Sequence, residues 1–405
     1  MDKIICNNVV FKSDGIYFQV MKPNSTPIGW INIPCNLTIE NPVTVAFQPL
    51  IEALNDKNYK NVVFEFDNSL TITYKKSNST KVKEILSEFI NYTPPNIPIT
   101  LKTTTMSSQN FFQALDNAAF ALSSDHADSP LCDFALHENF IVTTDRIVLT
   151  SQLNVTMPYF NPPFVLCRQI ASLLPKSGVG TLGTFDINPA ENNVEKTTGL
   201  LINTTYKKIP IQYFVFPLPN RYPAWKKILD TDSRTFVPLC NISKYDSSAI
   251  ISNIDSIPTV EIDRQKYKYI LLVCRDSRIC IESFCQDKEN KRLVCSEKSI
   301  SHLLLNKFAV ALRVESFKGL LAKNEDIQIF LEINTKNNKE ENYTFDKLEN
   351  QLMFYSESCN AAMIALGFAP TDNHLNDQTS NKAYVCQYIQ KAKEITEIID
   401  LSVHK

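Results

Sequence analysis

The residues of this 405-residue chain with the most obvious chemical potential are five histidines, eleven cysteines and a glycine-spaced loop. The histidines are His126, His137, His302, His374 and His404, and none stands in an HExxH or similar spacing that would make a helix face a metal site. The cysteines fall mostly inside apolar runs: Cys167 in FVLCRQI, Cys274 in ILLVCRD, Cys280 and Cys285 in ICIESFC. A free thiol in such a run behaves as a small buried hydrophobe. Cys274, Cys280, Cys285 and Cys295 also lack the paired two-residue spacing that closes a tetrahedral zinc site. Gly178, Gly180 and Gly183 spell GxGxxG, but a dinucleotide loop needs a strand before it and a helix after it. Here the preceding PPFVLCRQIASLLPK reads as helix and the following TLGTFDI as strand, so the glycines are expected to end a helix and turn the chain. No GxSxG elbow occurs, and Glu340 and Glu341 lie in a polar run that reads as solvated loop. The expectation is a protein without catalytic residues, metal or cofactor, and not an enzyme.

The elements that position residues come next. With 44% hydrophobic and 21% charged residues the chain supports packed cores. Its net charge of −2 excludes a polybasic nucleic-acid coat while permitting local basic patches. Eight glycines argue against a fold with several glycine-rich phosphate loops. MDKIICNNVVFKSDG has no apolar core of signal-peptide length, and no run of eighteen apolar residues occurs, so no membrane span is expected. With an odd number of cysteines, this points to a reducing cytoplasm.

Two patterns recur three times. The first is strand, helix, two strands. It opens at 43–75, where Leu50, Ile51 and Leu54 give a helical apolar face and 62–66 and 70–74 alternate as strands. It returns at 164–216, with a helix carrying Leu166, Ile170, Leu173 and Leu174, and again from Lys307 to the AAMIALGF strand. The second is a hairpin, at 7–20, 133–151 and 268–285. A helix precedes the second and third hairpins, at 107–120 and 241–254, and the first begins too early to have one. The expected class is α+β: three tandem modules, 1–92, 93–231 and 232–369, with antiparallel sheet on one side and helices on the other. Such a sheet has one face on helices and one on solvent, which period-2 alternation fits. A tail, 370–405, follows, with Tyr384, Tyr388, Ala392, Ile395 and Ile399 on one helical stripe.

Three such modules resemble the plan of the bacterial DNA polymerase III beta subunit, the sliding clamp. NFFQALDNAAFALSSD resembles that family's second-module opening, SPLCDFAL its Leu-x-Gly-x-x-Leu strand, and VTTDRIVLTS its Ala-Thr-Asp-Gly-x-Arg-Leu-Ala signature. FPLPNRYPAWKKIL is similar to the family's Gly-Arg-Phe-Pro-Asp-Tyr stretch, in register at Arg221, Tyr222, Pro223, Trp225, Ile228 and Leu229. The resemblance covers about residues 5–369. It implies a head-to-tail homodimer ring whose helices surround duplex DNA without reading its sequence. Such a ring tethers a polymerase and catalyses nothing. It further implies that polymerase and clamp-loader type proteins bind through linear peptides, in an apolar pocket between the second and third modules. Carried over one by one, that pocket is Leu131, Thr144, Leu149, Pro223, Ile228, Ile364, Leu366 and Phe368. On the helices, the basic residues placed to face DNA are Lys57, Arg168, Lys176, Lys244, Lys318 and Lys323.

The chain departs from the family in four places. Arg146, Ile147 and Val148 stand at the signature's Gly-x-Arg, where glycine tolerates φ > 0 and arginine does so less readily. The first module lacks its opening strand and helix, which leaves five lining helices against the family's six. The six helix cations face Glu52, Asp56, Asp116, Asp246 and Glu315, nearly cancelling the positive potential that holds DNA, with Lys207, Lys208, Lys226 and Lys227 as further cations in loops. The tail is an addition. Two functions remain open: a sliding clamp that encircles duplex DNA, or a clamp-fold binding module for replication or repair proteins that does not encircle it.

Overall fold

A computed structural model describes residues 6–22, 24–54, 60–66, 69–75, 81–90, 106–108, 110–123, 130–145, 148–176, 180–187, 197–219, 222, 225–229, 235–255, 260–262, 265–267, 269–275, 278–283, 298–299, 309–333 and 349–366. Every strand pairing described is antiparallel, as the α+β reading expects.

The chain begins with the expected hairpin, β1 (Asn8–Lys12) and β2 (Gly15–Met21), then β3 (Pro27–Pro34), β4 (Val43–Ala46) and α1 (Phe47–Leu54). A three-stranded sheet follows, β5 (Lys60–Phe66), β6 (Ser69–Lys75) and β7 (Lys81–Glu88). Next come β8 (Met106–Ser108), α2 (Phe111–Ala118), a 3-10 turn at Ala119–Ala121 and another at Pro130–Cys132. The 133–151 region forms three strands rather than two: β9 (Phe134–His137), β10 (Phe140–Thr144) and β11 (Val148–Gln152). Then come β12 (Phe164–Leu166), α3 (Arg168–Ala171), β13 (Gly180–Ile187), β14 (Thr197–Tyr206), β15 (Ile209–Val215) and α4 (Lys226–Leu229). The last stretch comprises β16 (Thr235–Ile242), α5 (Lys244–Asp255), β17 (Val260–Ile262), β18 (Gln265–Tyr267), β19 (Tyr269–Arg275), β20 (Arg278–Ser283), β21 (Lys298–Ser299), β22 (Ala309–Arg313), α6 (Val314–Lys323), β23 (Ile327–Ile333), β24 (Glu349–Tyr355) and β25 (Cys359–Leu366).

These elements group into two compact units, Met1–Leu115 with Asp125–Phe140 and Val155–Tyr222, and Asp116–Ser124 with Ile141–Asn154 and Pro223–Lys405. The expected module 93–231 contributes to both. In the first unit β3 pairs with β15, joining strands to give the order β4-β1-β2-β3-β15-β14-β13-β8. Gly29 sits at the join with φ +156°, and a Cβ there would lie 2.3 Å from the Phe214 carbonyl oxygen, so only glycine lets β3 approach β15. In the second unit β11 pairs with β25, which in turn pairs with β24 and β22. There α6 packs on α5 and on the 119–121 turn, where Gly319 lies against the Phe120 ring.

Two expectations are corrected. A sheet with one solvent face does not describe β1, which is buried on both sides. Val9 and Phe11 pack with Val45, Leu50 and Leu70, while Val10 packs on the opposite face with Tyr17, Trp30, Phe185 and Phe214. This double burial explains an unbroken apolar run, Val-Val-Phe, where alternation would otherwise suffice. The helix expected at 162–176 is also wrong at its start. Phe164, Val165 and Leu166 pair with Leu136, Ala135 and Phe134, and only Arg168–Ala171 is α-helical. Pairing with β9, together with burial of all three residues, overrides the helical spacing. Gly180 and Gly183 lie inside β13, and Gly178 lies outside the described residues.

Candidate functional site

The six cations expected to face DNA divide by circumstance. Lys57 lies outside the described residues, and Lys176 is exposed. Arg168 opens α3, where its backbone N–H donates to Asp133 Oδ1 at 2.8 Å. Lys22 Nζ stands 3.6 Å from the other oxygen of that buried carboxylate. Burial pushes the Asp133 carboxyl above its ordinary value, and the Arg168 N–H and Lys22 only partly offset it. Its folded pKa being raised, what it adds to stability is present at low pH and lost as pH rises through that folded value.

The three remaining lysines belong to the second unit and are ion-paired. Lys244 bonds to Glu325, Lys318 to Asp255 and Lys323 to Asp116. The Glu325 hydrogen bond raises the Lys244 pKa. The acids lie at contact distance, well inside the roughly 10 Å over which salt screens charge at 0.1 M, so each pair is close to neutral seen from a phosphate. The start of α5 adds a reciprocal cap. Ser243 N–H donates to Asp246 Oδ2 at 3.3 Å, and Asp246 N–H donates to Ser243 Oγ at 3.2 Å.

Four of the eight pocket candidates, Thr144, Leu149, Ile364 and Leu366, lie on paired strands of the second unit. In register, Thr144 opposes Leu149 and Leu149 opposes Ala362. Ile364 and Leu366 belong to the same strand as Ala362, their backbones opposite Gln351 and Glu349 of β24. Thr144 and Leu149 are buried, and α4 runs beside β25 with Ile228 41% exposed. Trp225, just before α4, is buried, with Lys226 Nζ 6.0 Å above its ring. Leu131 is buried in the 130–132 turn of the first unit. Pro223 and Phe368 lie outside the described residues, as does the tail 370–405.

What holds these strands was not visible in the sequence. Asp145 closes the β10–β11 turn by accepting the Val148 N–H at 2.8 Å, and Thr144 Oγ1 donates to the Val148 carbonyl at 2.8 Å. Arg313, at the end of β22, donates to Asp145 at 3.4 Å from 168 residues away. Arg146 and Ile147, the altered signature positions, lie outside the described residues. Asp145 thus supplies the turn with a side-chain anchor beside the apolar Val148. Local spacing carries no trace of Arg313. Among the described residues no group of three His, Cys, Asp or Glu is placed to hold a metal ion, and no helix is long and apolar enough to cross a membrane.

No protein-family model and no curated protein matches the sequence. Solved structures do match. The chain is similar to the beta subunit of DNA polymerase from Streptococcus pyogenes, with TM-score 0.60, 11% identity, and 89% of this chain and 91% of that one covered. It is similar to the Helicobacter pylori beta clamp bound to a DNA ligase peptide, with TM-score 0.60, 12% identity and coverage of 90% and 93%. It is also similar to the DNA polymerase sliding clamp of Caulobacter crescentus, with TM-score 0.58, 10% identity and coverage of 89% and 92%. The resemblance read from the sequence is borne out at the level of the fold, which is that of the bacterial DNA polymerase III beta sliding clamps.

Proposed function

We propose that this chain, with the fold of a sliding clamp, is a non-enzymatic processivity factor that tethers replication proteins to DNA. The observation that carries this reading is coverage of about nine-tenths of both chains in each fold comparison, which leaves no space for a different architecture. In this reading the chain forms three modules, 1–92, 93–231 and 232–369, and pairs as a homodimer ring around duplex DNA. Partner peptides, of polymerase or clamp-loader type, bind the apolar face of Thr144, Leu149, Ile364 and Leu366, with Leu131, Pro223, Ile228 and Phe368 completing the pocket. A face of aliphatic residues suits the leucine and phenylalanine anchors of a short peptide. The Helicobacter pylori clamp bound to a DNA ligase peptide supports this mode of binding.

A second reading, a clamp-fold binding module that does not encircle DNA, is favoured by one observation. Lys244, Lys318 and Lys323 each have a carboxylate partner, which weakens the positive lining that a DNA channel needs. Light scattering on the full chain separates the two. The clamp reading expects a dimer, and retention on circular but not linearised duplex DNA. A strict monomer at high concentration that slips from circular DNA leaves only the second reading. Both expect Leu366→Ala or Pro223→Ala to abolish peptide binding, and peptide affinity unchanged in both variants removes the pocket.

A further inference from the structure

The hairpin of β14 and β15 is closed by residues that its geometry does not favour. Tyr206 pairs directly with Ile209, leaving Lys207 and Lys208 as a two-residue turn. Turns of this length that match the right-handed twist of their strands are the primed types, and the one with positive φ at both central residues is usually built from Asn-Gly or Gly-Gly. Here φ is 48° at Lys207 and 72° at Lys208. A side chain in the left-handed region crowds its own carbonyl, a cost that glycine escapes. Turn formation therefore gives no reason for two lysines.

Their surroundings give one. Tyr206 is 60% exposed and Ile209 50% exposed. As a directly opposed pair, they sit on the same face of the hairpin. Lys207 Nζ lies 5.3 Å above the Tyr206 ring. Among the described residues neither lysine has a carboxylate partner, unlike Lys244, Lys318 and Lys323. The local sequence is one-sided as well. Residues 196–229 contain Lys196, Lys207, Lys208, Arg221, Lys226 and Lys227 and not one Asp or Glu, in a chain whose overall charge is −2.

We propose that the β14–β15 turn binds single-stranded DNA, with Lys207 and Lys208 on consecutive phosphates and a base stacked on Tyr206 against Ile209. Unpaired cations beside an open aromatic ring fit a single strand, which offers phosphates and base faces together. Duplex DNA keeps its base faces stacked, and acidic side chains carry no aromatic ring to stack on Tyr206. The inference goes beyond the tethering function and uses neither a closed ring nor the apolar face of β11 and β25.

The test measures fluorescence anisotropy of labelled oligo(dT), oligo(U), a blunt duplex of equal length and a poly-glutamate peptide with the full chain, across a salt series. Oligo(dT) is expected to bind most tightly. Replacing the turn by its preferred residues, Lys207→Asn with Lys208→Gly, keeps the hairpin and removes both charges. That exchange is expected to weaken oligo(dT) about tenfold at low salt and to flatten the log–log salt slope by about 1.4, or about 0.7 for each phosphate no longer neutralised. Its melting temperature should hold or rise. Tyr206→Ala is expected to lose about fivefold or more in affinity with the salt slope unchanged, because stacking is not ionic. The proposal is overturned if the turn exchange binds oligo(dT) like the parent, if the parent does not bind it, or if oligo(U), duplex or poly-glutamate binds more tightly. Peptide capture by the apolar face, measured alongside, should be the same in parent and turn variants. Its failure would count against the tethering function and not against the turn.

Discussion

The lysines of α5 and α6 and those of the β14–β15 turn are one residue type in two electrostatic situations. Lys318 and Lys323 join helices to neighbouring acids, with side chains 38% and 33% exposed. Lys207 and Lys208 stand in solvent on a turn that prefers other residues. The difference shows that a near-neutral chain need not be neutral everywhere. Along the sequence the charges balance, nine against nine in 1–92 and ten against ten in 93–231. Yet pairing hides the charge in one place and leaves it uncovered in another. A count of helix cations therefore overstates the potential that a phosphate would meet at α5 and α6.

If charge in the second unit is structural, the largest loss follows removal of Asp145, whose side chain is 11% exposed. Asp145→Ala should cost about 2 kcal/mol in urea denaturation, because it leaves the buried Val148 N–H and the Arg313 guanidinium without this partner. A loss indistinguishable from zero would mean the turn holds without its anchor. Lys323→Ala should cost about 1 kcal/mol, since Asp116 is 20% exposed and water compensates the broken pair only in part. Lys244→Ala should leave the unfolding midpoint where it was, both partners of that pair being more than 60% exposed. A clear drop would make the exposed pair structural too. The comparison would also break if Lys318→Ala and Lys323→Ala weakened binding to blunt duplex as much as the turn exchange weakens oligo(dT), since lysines paired with carboxylates offer a phosphate little charge.

Stability can be read separately in the two units through one thiol each. Burial raises Cys167 in the first unit and Cys359 in the second to about 12, against an ordinary 9.0. Both are therefore protonated at pH 8 and slow to alkylate while folded. Their protonation supports the fold fully below pH 9.0 and loses that effect as pH rises towards 12. Iodoacetamide labelling at pH 8, resolved by mass spectrometry over a urea series, should give two protection curves. Coincident curves would show the units opening as one, and immediate labelling of either thiol would contradict its burial.

Most strands were legible because their period of two survives in sequence, as at 62–66 and 70–74. The strand that joins sheets, β3, was not. PIGWINIP contains two prolines and a glycine, residues that argue against a strand until Gly29 is seen to admit β15. The helix expected at 162–176 failed at its start because apolar spacing cannot separate a buried strand from a helix face. For the site, family register names Thr144, Leu149, Ile364 and Leu366, which lie on β10, β11 and β25, strands that pair in that order. The pairs Arg313–Asp145, Lys318–Asp255 and Lys323–Asp116 were illegible. They link residues 168, 63 and 207 positions apart, a distance over which charge pattern carries no local signal.

The β3–β15 join also sets an order of events during synthesis. Asn32 meets Gln212 from 180 positions away, so β3 leaves the ribosome long before the strand that covers it. At about 5–20 residues per second, the backbone of β3 waits roughly 10–40 s as an open edge. An uncovered edge is a template for pairing with another chain. Translation pauses between residues 34 and 209 should therefore lengthen the nascent chain's vulnerability to aggregation, and pauses after residue 215 should not.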